Sequence, residues 1–254
     1  MHPILFRLGP ITVHTYGLLV ATGVLLAIAL ATRQGRREGL DPQRMLDLGF
    51  YLLVASIVGS RLLFVLIFWR DYLPHPGAIF KLWEGGLVFY GGLALALPVG
   101  LWYLEHYRLP RWKTADVWAA PLALGHAVGR LGCFAAGCCY GRPTDVPWAV
   151  TFTDPNSLAL LGLPLHPTQL YEAFGNLLIF CFLSLYRRHR RFPGQLFWLY
   201  VLLYSCLRFF LEFFRGDPRG YIVPSLLSVS QGIALVLVVL SLGLLARLGR
   251  AQRV

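Results

Sequence analysis

Charged side chains are scarce in this sequence of 254 residues. Asp, Glu, Lys and Arg together make up 14% of the chain, whereas soluble domains carry roughly 25%. Hydrophobic residues make up 57%, and most apolar runs reach the length of about 20 residues that a bilayer span needs. This composition excludes a separate soluble domain. We predict an all-α polytopic membrane protein in which residues 1–254 form one transmembrane domain.

The sequence also lacks low-complexity tracts, a convincing internal repeat and the pattern of a cleaved signal. Pro3 and Pro10 precede the first long apolar run, and no basic segment does. Acidic residues are few, 12 against 23 lysines and arginines, which leaves a net charge of +11. Because the basic residues cluster between the apolar runs, the excess indicates topology and attraction to anionic lipid. We expect no nucleic-acid partner.

Seven apolar segments are predicted to span the membrane: 13–32, 47–69, 87–105, 115–136, 170–186, 194–214 and 224–246. Alternate connections hold 14 of the 23 basic residues, the opposite connections hold 6, and three lie inside spans. By the positive-inside rule, the side rich in basic residues is cytoplasmic. The N-terminus is therefore predicted to be outside and the C-terminus inside, as an odd number of spans requires.

The outward connections are where we expect chemistry. The first, about 70–86, leads into Trp83–Gly92, whose paired glycines indicate a broken or re-entrant start to the third span. The longest, 140–168, is rich in proline and aspartate and is predicted to form a cover on the outer face. The third, Arg215–Gly220, is predicted to be a turn.

The stretch from His126 to Arg142 concentrates unusual residues in a run of membrane-spanning length. It contains Arg130, four glycines and three of the five cysteines. A charged side chain inside the membrane is costly, so it marks a site that faces a partner or a substrate. Arg61 and Arg208 also lie inside spans. The planar fork of arginine suits phosphate, the anion that a membrane supplies at headgroup depth.

Structural pairing with acids is the alternative explanation for these arginines. Arg208 precedes Glu212 by four residues on one helix face, and Arg130 has Glu172 as its candidate partner. Because pairing explains all three arginines less well than a shared anion does, we predict a phospholipid site near the outer face. Asp116, at the start of the fourth span, is expected to be a helix N-terminal cap.

The three cysteines of this stretch lie toward the outer face, where oxidation is possible. Cys133 can reach Cys138 or Cys139 only if the helix breaks at Gly137. The spacing C-x4-C-C matches no zinc pattern, so no metal is predicted. Packing of small residues at a glycine-rich helix end is the favoured role.

Several motifs occur in the order of one known family. They are HTYG (14–17), VGSRL (58–62), WEGGLVFYGG (83–92), GRLGCFAAGCCYG (129–141), HPTQLYE (166–172), RFFLEFFRGDP (208–218) and SQG (230–232). The ordered set covers nearly the whole chain and resembles the prolipoprotein diacylglyceryl transferases. The resemblance implies seven spans with the N-terminus outside, in agreement with the charge pattern.

The resemblance also implies a reaction. The diacylglyceryl group of phosphatidylglycerol would move to the lipobox cysteine thiol in the signal peptide of a prelipoprotein, releasing glycerol phosphate without a cofactor. The chain would then lie in the bacterial inner (cytoplasmic) membrane, with its site toward the periplasmic face. The residues implied as catalytic are Arg130, Arg208 and Tyr90, and those implied in substrate binding are Tyr16, Arg61, Gly91, Arg130, Glu172, Tyr204, Arg208 and Glu212.

Two places depart from the family pattern. Tyr90 stands where better-known members have histidine, so a histidine base is excluded there, and Cys133 and Cys138 replace an asparagine and a glutamate. Two alternatives to the transferase remain open. One is a non-catalytic phospholipid-binding membrane protein, and the other is a membrane thiol oxidoreductase that uses Cys133, Cys138 and Cys139.

Overall fold

The structure is a computed structural model that describes residues 2–8, 11–81, 85–217, 220–223 and 227–251. Over these residues the chain is mostly helical, as the composition predicts. The helices are α1 (Thr15–Arg37), α2 (Pro42–Ile67), α3 (Trp69–Tyr72), α4 (Phe89–His106), α5 (Arg111–Ala136), α6 (Thr168–Tyr186), α7 (Gln195–Leu211) and α8 (Val229–Ala251). Short 3-10 turns cover Pro76–Phe80, Arg187–His189 and Glu212–Phe214.

Short antiparallel strand pairs also occur, which the all-α prediction did not include. They are β1 (Ile4–Leu8) with β2 (Ile11–His14), β3 (Val150–Thr151) with β4 (Pro164–Leu165), and β5 (Tyr221–Val223) with β6 (Leu227–Ser228). Each pair lies before or between long helices, where backbone groups need partners that no helix supplies. The strands β3 to β6 are two or three residues long, too short for a period-2 pattern to reveal.

Among the described residues, five helices have the length and composition of membrane spans: Thr15–Arg37, Pro42–Ile67, Thr168–His189, Gln195–Phe214 and Val229–Arg250. They coincide with the first, second, fifth, sixth and seventh predicted segments. Helices α4 and α5 occupy the other two segments but fall short of this combined length and composition. The reason is that α4 ends in Glu105 and His106, while α5 carries His126 and Arg130. The described residues therefore support a polytopic, mostly helical membrane protein.

The chain divides into two compact units, one formed by Met1–Leu30 with Ala115–Val254 and the other by Ala31–Thr114. In the first unit, α1 approaches α5 at Gly23 and Gly125. A side-chain carbon at Gly125 would lie only 2.8 Å from the carbonyl oxygen of Gly23. Small residues of this kind let membrane helices pack closely, and here they bring the start of α1 beside the end of α5.

Helices α5, α6 and α7 share a core of small and apolar side chains: Ala119, Ala120, Ala123, Ile179, Leu183 and Leu196. Asp116 lies at one end of this core and is buried. Its carboxylate accepts hydrogen bonds from the backbone N–H groups of Gly194 at 2.7 Å and Phe197 at 2.9 Å. Because α5 begins at Arg111, Asp116 lies inside that helix and caps the N-terminus of α7 instead. The prediction of a helix cap is correct, but Asp116 caps α7 and not the fourth predicted span.

Residues 140–168 form a compact connection between α5 and α6. Phe152, Ala159 and Leu165 form a buried hydrophobic cluster in this connection, and Phe134, Tyr140 and Val150 pack against it. The N–H of Leu158 donates to the carbonyl oxygen of Ala136 at 2.9 Å, which ties the connection to the end of α5. The segment is therefore a folded element, and its place on the outer face remains a prediction.

In the second unit, α2 crosses α4 at Gly59 and Gly91. A side-chain carbon at either glycine would overlap the carbonyl oxygen of the other, so the crossing requires both glycines. Leu82, Trp83 and Glu84 lie outside the described residues, and helix α4 begins at Phe89.

Candidate active site

The centre of the predicted site is Glu172, a fully buried carboxylate on α6. Its Oε1 lies 3.0 Å from Nη2 of Arg130 on α5 and 3.7 Å from Nε2 of His126, one turn earlier. The hydroxyl of Tyr204 on α7 donates to the same oxygen at 3.2 Å. A buried carboxylate is costly unless it is paired. The sequence places these four polar groups on three helices, and the fold joins them at one atom.

The first turns of α6 supply a buried polar face for this cluster. Thr168, Gln169, Glu172 and Asn176 are fully buried, and the Asn176 amide donates to the backbone oxygen of Glu172 at 2.8 Å. The Thr168 hydroxyl donates to the carbonyl oxygen of Cys139 at 2.8 Å. Helix α6 therefore holds Glu172 and the turn after α5 in a common arrangement.

Arg215 joins the same cluster, although the sequence predicted only a turn around it. Its Nη1 lies 3.8 Å from Oε2 of Glu172, and its Nε and Nη2 donate to Asp217 at 2.8 and 3.0 Å. The side chain is 3% exposed. Sequence reasoning missed Arg215 as a site residue, and its position shortly after Glu212, at the end of a predicted span, is the signal that could have found it. Pro218 and Arg219 of the predicted turn lie outside the described residues.

Arg208 forms a second ion pair in the first unit. Its Nη2 lies 2.7 Å from Oε2 of Glu212 and 3.2 Å from the hydroxyl of Ser230 on α8. The pairings offered as the structural alternative, Arg130 with Glu172 and Arg208 with Glu212, are therefore both present. Each guanidinium nevertheless keeps a buried N–H without a hydrogen-bond partner among the described residues, Nε of Arg130 and Nη1 of Arg208. Both arginines can still bind an anion.

Tyr16 and the cysteines adjoin Arg130. Tyr16 packs over Gly132, where a side-chain carbon would meet its ring at 3.3 Å, and Nη1 of Arg130 lies 3.9 Å from the Cys133 sulfur. Helix α5 ends at Ala136, so the break expected at Gly137 is present. No disulfide joins the cysteines of the described chain.

Cys139 lies beyond the end of α5, outside the predicted span. Hydrogen bonds from the Cys133 and Cys138 thiols, together with the charge of Arg215, lower the pKa of the Cys139 thiol below its ordinary value. Hydrogen bonds and cations of this kind favour the thiolate form.

Three predicted site residues belong to the second unit: Arg61, Tyr90 and Gly91. The Arg61 guanidinium is buried and donates to the carbonyl oxygens of Ile79 and Ala78 at 2.8 Å and of Gly85 at 2.7 Å. These bonds hold the connection that precedes α4. Tyr90, in the first turn of α4, is 53% exposed, whereas Gly91 is buried in the crossing with α2.

Comparison with known proteins identifies the family. The family described as Prolipoprotein diacylglyceryl transferase matches residues 3–247. The chain belongs to this family. A relative from Clostridium tetani named phosphatidylglycerol–prolipoprotein diacylglyceryl transferase is 33% identical over 242 residues, which cover 95% of this chain and 96% of the relative. A relative of the same name from Bordetella bronchiseptica is 36% identical over 249 residues, 95% of this chain and 93% of the relative.

The resemblance inferred from the motifs is thereby confirmed for prolipoprotein diacylglyceryl transferases as a family. The structure brings together the residues of the first unit in three small groups: Glu172 with Arg130 and Tyr204, Arg208 with Glu212, and Tyr16 beside Gly132. Their roles in this chain are proposals, developed next.

Proposed function

We propose that this chain transfers the diacylglyceryl group of phosphatidylglycerol to the lipobox cysteine thiol of prelipoproteins. The reaction forms a thioether and releases glycerol phosphate. The observation that carries the proposal is family membership over residues 3–247 together with relatives that bear this activity in their names. The family membership makes the chain a transferase, and it favours neither lipid binding alone nor thiol oxidation.

The chemistry matches the electrostatics of the Arg130 cluster. The carbon under attack is a glycerol methylene, and the leaving group is a phosphate ester that gains negative charge as the bond breaks. Fixed cationic donors stabilise such developing charge, most strongly where water is excluded. Arg130 and Arg208 each have a buried donor without a partner among the described residues, which fits this task, so we assign the lipid phosphate to these two arginines.

The remaining residues receive supporting roles in this proposal. Glu172 and Glu212 hold the two guanidiniums in place, and Tyr204 fixes the Glu172 carboxylate. Tyr16 lines the site next to Arg130. Arg61 and Gly91 act through the backbone that they position, since Arg61 binds carbonyl oxygens and Gly91 permits a helix crossing.

We further propose seven spans, with α4 and α5 joining the five helices that have the length and composition of spans. The charge distribution between the helices supports an outer N-terminus and a cytoplasmic C-terminus. The site would then lie at the periplasmic face of the bacterial inner membrane, beneath residues 140–168. Both substrates are anchored at that face, so positioning alone contributes much of the rate.

Labelling of an introduced cysteine tests this topology. A cysteine at Leu158, whose side chain is 69% exposed, should react with a membrane-impermeant thiol reagent added outside intact spheroplasts. His189→Cys, at the exposed 3-10 turn after α6, should react only after the membrane is opened. The unsubstituted chain measures the background from native cysteines. The reverse pattern would contradict the orientation and the cover together.

Tyr90→Phe should retain transfer, with a loss of about 10-fold or less. A neutral phenol is a poor general base, because its oxygen accepts a proton only weakly. We propose that the exposed Tyr90 hydroxyl only positions substrate, and a neutral hydrogen bond contributes about 0.5–1.5 kcal/mol. Steady-state transfer rates measure the effect, and Tyr90→His should also be active. A Tyr90→Phe protein that folds and binds lipid yet transfers nothing would make the hydroxyl a proton carrier.

The decisive test of the function is transfer itself. Purified protein in vesicles that contain acyl-labelled phosphatidylglycerol is mixed with a lipobox peptide, and thioether-linked label is measured by mass spectrometry. We expect label on the cysteine peptide and none on a serine peptide of otherwise identical sequence. Binding of phosphatidylglycerol without transfer would contradict the proposed enzymatic activity and favour a non-catalytic lipid-binding protein.

A further inference from the structure

Three sulfur atoms meet where α5 ends. The Sγ atoms of Cys133, Cys138 and Cys139 all lie within 4.8 Å of one another. Thiolates bound to one tetrahedral Zn²⁺ at about 2.3 Å are about 3.8 Å apart. The three side chains therefore need only a small inward movement to hold one ion. The sequence spacing did not predict this, because the grouping depends on how the chain turns after the helix.

That turn is built from unusual backbone conformations. Gly137 has φ +77° and Cys139 has φ +61°, and non-glycine residues rarely adopt positive φ. Strained backbone persists only where the surroundings determine it, and it concentrates at functional sites. Here the Thr168 hydroxyl binds the carbonyl oxygen of Cys139 and the Gln169 amide binds that of Cys138, each at 2.8 Å. The backbone of Cys138 and Cys139 is thus fixed by two fully buried side chains of α6.

The charges around the sulfurs also favour a metal–thiolate group. Nη1 of Arg130 lies 3.9 Å from the Cys133 sulfur, and the positive charge of the Arg215 guanidinium lies near Cys139. Three thiolates with one Zn²⁺ carry a net charge of −1, which nearby guanidinium groups stabilise. Glu172 and Asp217 already pair with these arginines, so the guanidiniums bridge carboxylate and sulfur.

We propose that Cys133, Cys138 and Cys139 bind one Zn²⁺ and leave its fourth position for the acceptor thiol. Within the described residues, the group of potential ligands contains these three cysteines and no fourth member. Catalytic zinc sites characteristically have three protein ligands and one exchangeable position. This inference rests on the proposed function, since the acceptor is the lipobox cysteine and Arg130 holds the lipid phosphate beside the cluster.

The step balances without a redox change. The acceptor thiol loses its proton to solvent as it enters the fourth position, because metal coordination activates a thiol as a nucleophile. Its sulfur then forms a bond to the glycerol methylene carbon. The carbon–oxygen bond to phosphate breaks, and its electron pair stays on the glycerol phosphate oxygen. The thioether product is a weaker ligand than a thiolate, so it leaves the site.

Metal binding is measured first, on the full chain in nanodiscs made without phosphatidylglycerol. After chelation, the protein should bind one Zn²⁺, and Co²⁺ in its place should show the absorption of sulfur ligands. Cys139→Asn should weaken Zn²⁺ binding roughly 100-fold or more, while asparagine tolerates the left-handed backbone. Cys133→Ser is the second cluster variant. Cys181→Ser with Cys206→Ser, outside the cluster, should bind like the native chain.

Acceptor binding is then read from the Co²⁺ spectrum. A lipobox peptide with cysteine should shift the absorption, and the matching serine peptide should not. Absence of stoichiometric metal, or binding unaffected by the cluster variants, would overturn the site. If the metal binds but its absorption does not change when the cysteine peptide is added, the proposal that the metal binds the acceptor thiol is wrong. Transfer by a metal-free chain would contradict this inference and leave the proposed function intact. Metal and peptide binding without transfer would contradict the proposed function alone.

Discussion

Arg130→Ala should lower diacylglyceryl transfer at least about 100-fold, while the protein still inserts into the membrane. The side chain offers the buried Nε donor and a fixed positive charge next to Glu172. Removing one preorganised donor to a developing negative charge costs enzymes about 10²–10³ in kcat. Transfer of labelled lipid to a lipobox peptide measures the loss. Arg130→Lys should also be poor, because lysine cannot supply the two-pronged donor geometry.

Stability must be separated from catalysis in this variant. Arg130→Ala leaves the buried Glu172 carboxylate without its 3.0 Å partner, and breaking a buried pair can cost about 3–5 kcal/mol. Tyr204, His126 and Arg215 remain nearby, so we expect the loss to fall below that range. Adding Glu172→Gln removes the uncompensated charge and should restore thermal stability without restoring transfer. Recovery of transfer in this double variant would show that Arg130 acts only through folding.

Arg208→Ala should cause a loss of similar size, about 100-fold or more. Its Nη1 is buried without a partner among the described residues, while Nη2 is held by Glu212 and Ser230. This arrangement orients one face of the guanidinium and leaves donors for the lipid phosphate. Charge-assisted hydrogen bonds contribute about 1.5–3 kcal/mol each, and two such bonds account for the expected loss.

Ser230→Ala is the matched control for Arg208. It removes one hydrogen bond that the guanidinium donates at 3.2 Å and keeps both the charge and the ion pair with Glu212, so transfer should fall by about 10-fold or less. Binding of phosphatidylglycerol vesicles, measured alongside transfer, shows whether the arginine acts on affinity or on the chemical step. An Arg208→Ala protein with at least half of native transfer would remove this residue from the phosphate site.

The long helices were predictable because membrane helices obey a simple length and hydropathy rule. Helix ends were less predictable: α1 extends to Arg37 and α8 to Ala251, beyond the apolar segments that marked them. Charged residues can continue a helix past the bilayer, and composition does not reveal where it stops. The short strands β3 to β6 were missed because two or three residues are too few to show a strand pattern.

The site shows the same division between local and tertiary information. Arg130, Glu172, Arg208 and Glu212 attracted attention because charge inside a span is costly wherever it occurs. Arg215 did not, because an arginine beside Gly216 and Asp217 has the composition of an exposed turn. Only the fold, which pairs the backbone of Arg215 with Gly141 and brings its side chain to Glu172, shows that this side chain is buried.

By itself, the sequence determined the class of the protein and its family, and it offered the pairs Arg130–Glu172 and Arg208–Glu212 as an alternative to a shared anion. Hydropathy, charge and motif order can be read directly from the sequence, without a structure. Only the tertiary structure decided that Asp116 caps α7, that Arg61 holds carbonyl oxygens, and that three cysteines share one small volume. Each of these facts depends on where the chain turns between helices, and a turn brings together residues that no sequence period connects.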